Sequence, residues 1–289
     1  MSLLNIAIVI NTKAKNAANA DTYCDALRAA DISFQLFSVG PEELDATIKD
    51  CLAKHEMLLI GGGDGTIRSA AQRCAHTSVV FGVLPLGTLN HFSKELDLPQ
   101  NVDETIQAIK QQKTMMIDLA EVNGQIFVNN SSIGFYPKFA DKRDAYSENY
   151  NKWLSYIPGF IESLKKHKAF QITIKSKTVN CSLRTSFLMI SNNRYTYQFP
   201  FTIKRESFEK ALLGLYYFKH GKLRVIKLIK NWFSTTSNFE TLESPDPVEI
   251  HFDRETEVTV SLDGETQKMQ TPLYYKSLPK ALTVLTKSS

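Results

Sequence analysis

Three adjacent glycines, Gly61-Gly62-Gly63, run into Asp64-Gly65-Thr66 between a short apolar stretch, Met57–Ile60, and a segment that reads as a helix over about residues 65–75. Adjacent glycines permit positive φ and leave no side chain between backbone N–H groups and a bound anion. The helix that follows turns its unsatisfied N–H groups and the positive end of its dipole toward that anion. The loop reads as a surface that touches phosphate. It is not a Walker A loop, since no GxxxxGK[ST] occurs, and it lacks the GxGxxG spacing of dinucleotide folds. Asp64 sharpens the reading, because a carboxylate inside a phosphate cradle repels the ligand unless a cation lies between them or the side chain is occupied elsewhere. Magnesium resolves that conflict. Asp64 as the N-cap of the helix, with the glycines forming only a tight turn, is the alternative, and the two can coexist.

From residue 1 to about 117 short apolar runs alternate with helical patterns: Ile6–Ile10, a helix around Ala17–Ala30, Phe34–Val39, and a helix opened by Pro41 in which Leu44, Ile48 and Leu52 recur at i, i+4, i+8. Val79–Leu84 supplies a further strand before Pro85. Strands this apolar and unalternating suit a parallel sheet covered on both faces. After about residue 118 the rhythm changes. Asn123-Gly124 is a hairpin signal, and strand patterns follow at Phe170–Ile174, Ser186–Ser191, Leu213–Phe218, Val258–Leu262 and Leu282–Leu285. The expected domains are 1–117, α/β, and 118–278, mostly antiparallel β, with the segment from about 279 to 289 returning to the first. Helix-like stretches at Tyr150–Lys166 and Lys222–Phe233 interrupt the second half. There is no internal repeat.

Composition narrows the function classes. With 34 Lys and Arg against 30 Asp and Glu, the net charge is +4, too mild for a nucleic-acid binder but compatible with a nucleotide or lipid headgroup. Cys24, Cys51, Cys74 and Cys181 form no CxxC motif and no evident disulfide pattern. No run of 18 uncharged apolar residues predicts a membrane span. The expected compartment is the cytosol. The six histidines are scattered, with no HExxH and no spacing for a Ser/His/Asp triad. Lys222–Phe233 pairs Leu223, Ile226, Ile229, Trp232 and Phe233 with Arg224, Lys227 and Lys230. That pattern suits either the surface of an anionic bilayer or packing on the second domain's own core.

A second motif, Leu84-Pro85-Leu86-Gly87-Thr88-Leu89-Asn90-His91-Phe92, lies about twenty residues beyond the glycine loop, again at a strand-to-helix junction. The pair GGDGT and PLGTxNxF resembles the diacylglycerol kinase catalytic-domain family. The resemblance continues through Ile117-Asp118-Leu119, Asn129-Asn130-Ser131-Ser132-Ile133-Gly134, Leu262-Asp263-Gly264-Glu265 and Leu278-Pro279-Lys280-Ala281-Leu282. It implies a Rossmann-like three-layer α/β domain, a C-terminal antiparallel β-sandwich, and ATP between them giving its γ-phosphoryl group to a lipid hydroxyl. On matching positions the nucleotide contacts fall on Asn11, Gly62, Gly63, Asp64, Gly65, Thr66 and Thr88, with Ser38, Ile67 and Arg68 beside them. Thr88 also follows a glycine at an expected helix start, where a hydroxyl can cap and donate to phosphate.

The resemblance turns Asp263-Gly264-Glu265 from a plain hairpin turn into the carrier of the base, with Glu265 favoured and Asp263 second. A hydroxyl attacks phosphorus better as its proton leaves. Asp64 and Asp118 are the expected magnesium contacts. Two departures stand out. The family's Asn-Pro-x-Ser-Gly reads Asn11-Thr12-Lys13-Ala14-Lys15, leaving Lys15 and Arg68 as alternative cations for phosphate. Phe208-Glu209-Lys210-Ala211-Leu212-Leu213 aligns with a metal-holding Asp-Gly-x-Leu element, and Lys210 is no metal ligand. The reading is an ATP- and Mg2+-dependent lipid kinase acting transiently at an anionic membrane surface, without nucleic acid, and with a homodimer left open. The rivals are an NAD kinase-like enzyme, which shares GGDGT but not PLGTLNHF, and a catalytically silent nucleotide- or lipid-binding module.

Overall fold

The computed structural model describes residues 4–88, 90–134, 169–198, 202–205, 207–217 and 240–287. The chain divides into two units, Met1–Leu119 with Leu278–Ser289, and Ala120–Ser277, and it passes between them inside β5 (Thr114–Val122) and β18 (Leu273–Leu285). The helix-like stretches at 150–166 and 222–233 lie outside the described residues.

In the first unit β1 (Ile6–Asn11), β2 (Gln35–Val39), β3 (Met57–Gly62) and β4 (Val80–Pro85) are parallel, in the order β2-β1-β3-β4, with the end of β18 parallel to β4. Ile6–Ile10 and Met57–Gly62 are buried at every position, which is why their sequences show no alternation. On one face Ile8, Ile10, Met57 and Leu59 pack with Tyr23 and Leu27 of α1 (Ala20–Ala29) and with Ala108 and Ile109 of α5 (Val102–Gln111). The alternate strand residues face the other way, where α2 (Pro41–Leu52) lies against β1 and α3 (Asp64–Cys74) against β3. The result is three layers. Each fully buried Leu or Ile adds about 1.5–3 kcal/mol to holding them together.

After β1 the chain steps outward to β2, then recrosses to β3 and continues outward to β4. The direction of winding reverses between β1 and β3, and in open α/β sheets ligands bind beyond the carboxyl ends of the strands at that reversal. Asn11 ends β1 there, and the glycine loop ends β3.

The second unit is a sandwich. One antiparallel sheet runs β14 (Glu240–Ser244), β13 (Leu213–Tyr217), β10 (Phe187–Asn192), β7 (Asn130–Gly134), β16 (Glu257–Leu262), β17 (Glu265–Gln270). The other runs from the start of β18 through β15 (Val248–Phe252) and β8 (Phe170–Lys175) to β9 (Asn180–Thr185), with β6 (Gln125–Phe127) paired to β5. Leu188, Ile190, Leu215, Val260 and Leu262 from the first layer meet Ile172, Ile174, Val248, Ile250 and Tyr275 from the second. β11 (Tyr195–Gln198) and β12 (Thr202–Arg205) form a separate ribbon.

Two elements depart from expectation. The last strand begins at Leu273, not Leu282, and carries Pro279 in its interior, a residue that argues against a strand because it cannot donate to the ladder. Lys280 beside it takes φ +49° and gives its N–H to the Asp118 carboxylate at 2.9 Å, so the kink keeps its donor satisfied. α5 was not anticipated. Asn101 caps it by accepting from Glu104 N at 2.9 Å, a cap worth about 1 kcal/mol, while the Glu104 carboxylate accepts from Asn101 Nδ2 at 3.0 Å and from Gln100 N at 2.8 Å.

Candidate active site in the glycine loop

β3 delivers Gly61 and Gly62 alongside Leu84 and Pro85 of β4, so the two motif loops leave the sheet side by side. Gly63 is the N-cap of α3, extended at φ −87° and ψ 179°, and it has no side chain with which to cap the helix. Ile67 N makes the first helical bond, to Gly63 O at 3.0 Å. The N–H groups of Asp64, Gly65 and Thr66 therefore lie in a first turn that offers them no partner within the helix, at its positive end. Asp64 is the first helical residue and not the N-cap, which is Gly63.

The loops touch backbone to backbone. A Cβ on Gly87 would come within 2.6 Å of Gly63 Cα and 2.7 Å of Asn90 Oδ1. Asn90, at φ 52°, folds its side chain back on the loop, accepting from Gly87 N at 2.9 Å and donating to Gly87 O and Pro85 O at 3.1 Å. Asn16 fastens the same loop from the β1 side, its side chain donating to Gly87 O and its N–H to Leu86 O, both at 3.1 Å. Asn11 donates to Thr66 Oγ1 at 2.9 Å and accepts from Lys13 N at 3.0 Å. The Thr66 hydroxyl keeps its own proton to give. Asp64 is half-buried, with one oxygen receiving a long bond from Phe92 N at 3.4 Å.

Asn11, Gly62, Gly63, Asp64, Gly65 and Thr66 are thus gathered at one place. Ser38 is exposed on β2, in register with Ile10, and Arg68 is half-buried on α3. Two expectations are corrected. Thr88 caps no helix, because α4 (His91–Glu95) begins three residues later with Asn90 at its cap. Ile67 presents nothing to a ligand: its side chain is 3% exposed and its N–H is spent on Gly63. Asp118, at 1% exposure, commits one carboxylate oxygen to the Lys280 N–H at the β18 kink.

In the second unit Asp263 (φ 49°) and Gly264 (φ 97°) form a two-residue turn of the primed kind between β16 and β17. The Asp263 carboxylate accepts from Val128 N and Asn129 N at 2.8 Å and from Asn130 N at 3.1 Å. Both oxygens of Asp263 are thus engaged by the backbone of residues 128–130. Glu265 is exposed at the head of β17. Glu209 and Lys210 are exposed, and Ala211 holds φ 52°, a left-handed conformation that favours glycine. Among the described residues no three His, Cys, Asp or Glu side chains converge to cage a metal. Two cavities lie in the second unit; one, about 420 Å³, is lined by Lys175, Lys177, Glu249 and Tyr274.

Residues 5–122, which span the whole of this loop system, match the family described as Diacylglycerol kinase catalytic domain. This segment belongs to the diacylglycerol kinase catalytic-domain family. A protein of Staphylococcus carnosus (strain TM300) named "Putative lipid kinase" is 23% identical over 239 residues, 80% of this chain and 77% of its own length. A solved structure described as a diacylglycerol kinase from Bacillus anthracis str. Sterne superposes with a TM-score of 0.72 at 19% identity, covering 99% of this chain and 98% of that one. At that identity the likeness establishes the shared fold. Among the described residues no helix is long and apolar enough to cross a membrane.

Proposed function

We propose that the chain is an ATP-dependent lipid kinase. It moves the γ-phosphoryl group of ATP to the hydroxyl of a lipid such as diacylglycerol, giving phosphatidic acid, or of a sphingoid or ceramide lipid. The observation that carries this reading is the bare first turn of α3 at the winding reversal, with a half-buried carboxylate and a donating hydroxyl set into it.

Phosphate oxygens would accept from the N–H groups of Asp64, Gly65 and Thr66 and from the Thr66 hydroxyl, which Asn11 orients. The donor set suits magnesium: a single hard carboxylate is enough for an ion that keeps several waters and takes its other ligands from the nucleotide. Such an ion supplies charge neutralisation at the transferring group. Glu265 is assigned the proton of the acceptor hydroxyl, since Asp263 has its oxygens occupied. Membrane contact is proposed to be peripheral and transient.

Transfer of radiolabelled γ-phosphate to micelles holding diacylglycerol or a sphingoid base tests this. Asp64→Asn keeps an oxygen for Phe92 N and removes only the charge, so it should leave the fold intact and lower transfer by about 10²- to 10³-fold. Unchanged turnover would refute the role of Asp64. The exposed Lys210 in the metal-holding element favours a second reading, a silent nucleotide-binding module. Tight ATP binding without transfer to any lipid would select it.

A further inference from the structure

We infer that Arg205 is a positioning residue for the Asp263-Gly264-Glu265 turn, an inference that rests on the base role proposed for Glu265. Arg205 ends β12 and is 3% exposed within the second unit. A guanidinium so buried persists only with its donors filled. Nη1 donates to Val128 O at 2.8 Å and Asn192 O at 3.2 Å, and Nη2 donates to Asn129 Oδ1 at 2.6 Å. The rings of Phe208 and Tyr195 stand 4.7 and 5.7 Å from Cζ, covering the cation as its edges are satisfied.

The segment held by these bonds is the one that holds Asp263. Val128, Asn129 and Asn130 turn their N–H groups to the Asp263 carboxylate, and Asn130 O takes Asp263 N at 2.9 Å. Residues 128–130 are thus gripped at a carbonyl and a side-chain amide by a buried cation, and at three amides by an anion. Each charge-assisted bond polarises the peptide groups toward the other. Asn192 steadies the carbonyl side, its side chain donating to Val128 O at 3.1 Å and its N–H to Asn129 O at 3.0 Å. Asp263 and Gly264 are the two central residues of a tight turn, so fixing Asp263 fixes where Glu265 enters β17. Arginine suits the place because two acceptors bond Nη1 and the third bonds Nη2, two separate donor nitrogens held in one rigid fork where a lysine has a single one.

The test compares full-length Arg205→Lys and Arg205→Met with the wild type. In the lipid phosphorylation assay kcat should fall roughly ten- to a hundredfold, the scale of a small misplacement at a reacting group. KM for ATP and for lipid should stay within about twofold, as expected when ground-state binding is untouched. Amide exchange at Asn129 and Asn130 should speed up in both variants. An unchanged kcat, a rise in KM matching the fall in kcat, or unchanged exchange would each overturn the inference. Should both variants fail to fold, Asn129→Ser withdraws only the Nη2 acceptor and faces the same criteria. A wild-type chain that phosphorylates no lipid would end the kinase reading instead, and exchange at Asn129 and Asn130 would then judge the grip alone.

Discussion

Gly87→Ala separates the architecture of the two loops from their chemistry. The added methyl would lie 2.6 Å from Gly63 Cα, 2.7 Å from Asn90 Oδ1 and 3.4 Å from Gly62 O. Carbon atoms settle at about 3.5–4.0 Å, so the loops must part by roughly 1 Å. The backbone on both sides gives little, and overpacking of this kind costs about 1–3 kcal/mol. Displacing Asn90 Oδ1 also strains the 2.9 Å bond from Gly87 N, about 1 kcal/mol more. At about 2–4 °C per kcal/mol for a chain of this size, the melting temperature followed by circular dichroism should drop by roughly 5–15 °C. Gly63→Ala is the internal control, because its methyl meets nothing nearer than Gly87 Cα at 3.8 Å. It should melt within a few degrees of the wild type, losing only the modest preference for glycine over alanine at an N-cap. Yet it places carbon beside the first-turn N–H groups, so its affinity for ATP should fall, as read by calorimetric titration. If Gly87→Ala melts and binds ATP like the wild type, the loops are not locked to each other and the account of the site fails.

The two carboxylates of the late turn should part company. Asp263→Asn leaves at least one of three backbone donors facing an amide that cannot accept it, a loss of about 2–4 kcal/mol in urea unfolding. Glu265→Gln, at an exposed position, should unfold within about 0.5 kcal/mol of the wild type while lipid phosphorylation drops by about 10²- to 10⁴-fold; the reverse pattern would exchange their roles. Burial pushes the Cys74 thiol up to about 12 and Cys51 to about 11, and raises Cys24. The thiolate is the reactive form, so at pH 8 a thiol reagent should modify only the partly exposed Cys181 in the native protein and reach the other three on unfolding. Fast native labelling at Cys74 would contradict its burial.

What could be read from the sequence was what is local. Ile6–Ile10 and Met57–Ile60 announce a covered parallel sheet because every side chain in them must be buried. The glycine run marks its own junction because only glycine leaves amides bare. Thr88 misled because the left-handed turn at Asn90, which delays α4, leaves no mark on the threonine. The full length of β18 is hidden because Pro279 ordinarily ends a strand, and the acceptor that satisfies the Lys280 N–H at the kink is the Asp118 carboxylate, far away in sequence. Asn101-x-x-Glu104 is a helix-start signal for α5 that can be read in the sequence. The occupation of Asp263 was not legible: its three donors lie more than a hundred residues upstream, joined to it only by β7 pairing with β16. Arg205 showed no signal, since a lone arginine beside Lys204 looks like solvated charge until its burial is known.

The asparagines of the first unit show how a site can depart from its family's wording and stay built. Asn11, Asn16 and Asn90 all direct side-chain amides onto the loops themselves: onto Thr66 and Lys13, onto Gly87, and onto Gly87 and Pro85. On the proposed reading, ligand contact would then fall on backbone N–H groups, one hydroxyl and one carboxylate, groups that do not depend on residues 13–15. The Thr12–Lys15 turn, which lacks the family's glycine, still feeds Asn16 into position, with Ala14 N bonded to Asn11 O at 2.9 Å and Thr12 N to Val39 O at 3.0 Å. A site preorganised by its own frame presents its amides without further ordering when the anion arrives. The altered turn should therefore leave the cradle intact, and any loss of affinity should trace to Asn11, Asn16 or Asn90 before it traces to Lys13 or Lys15.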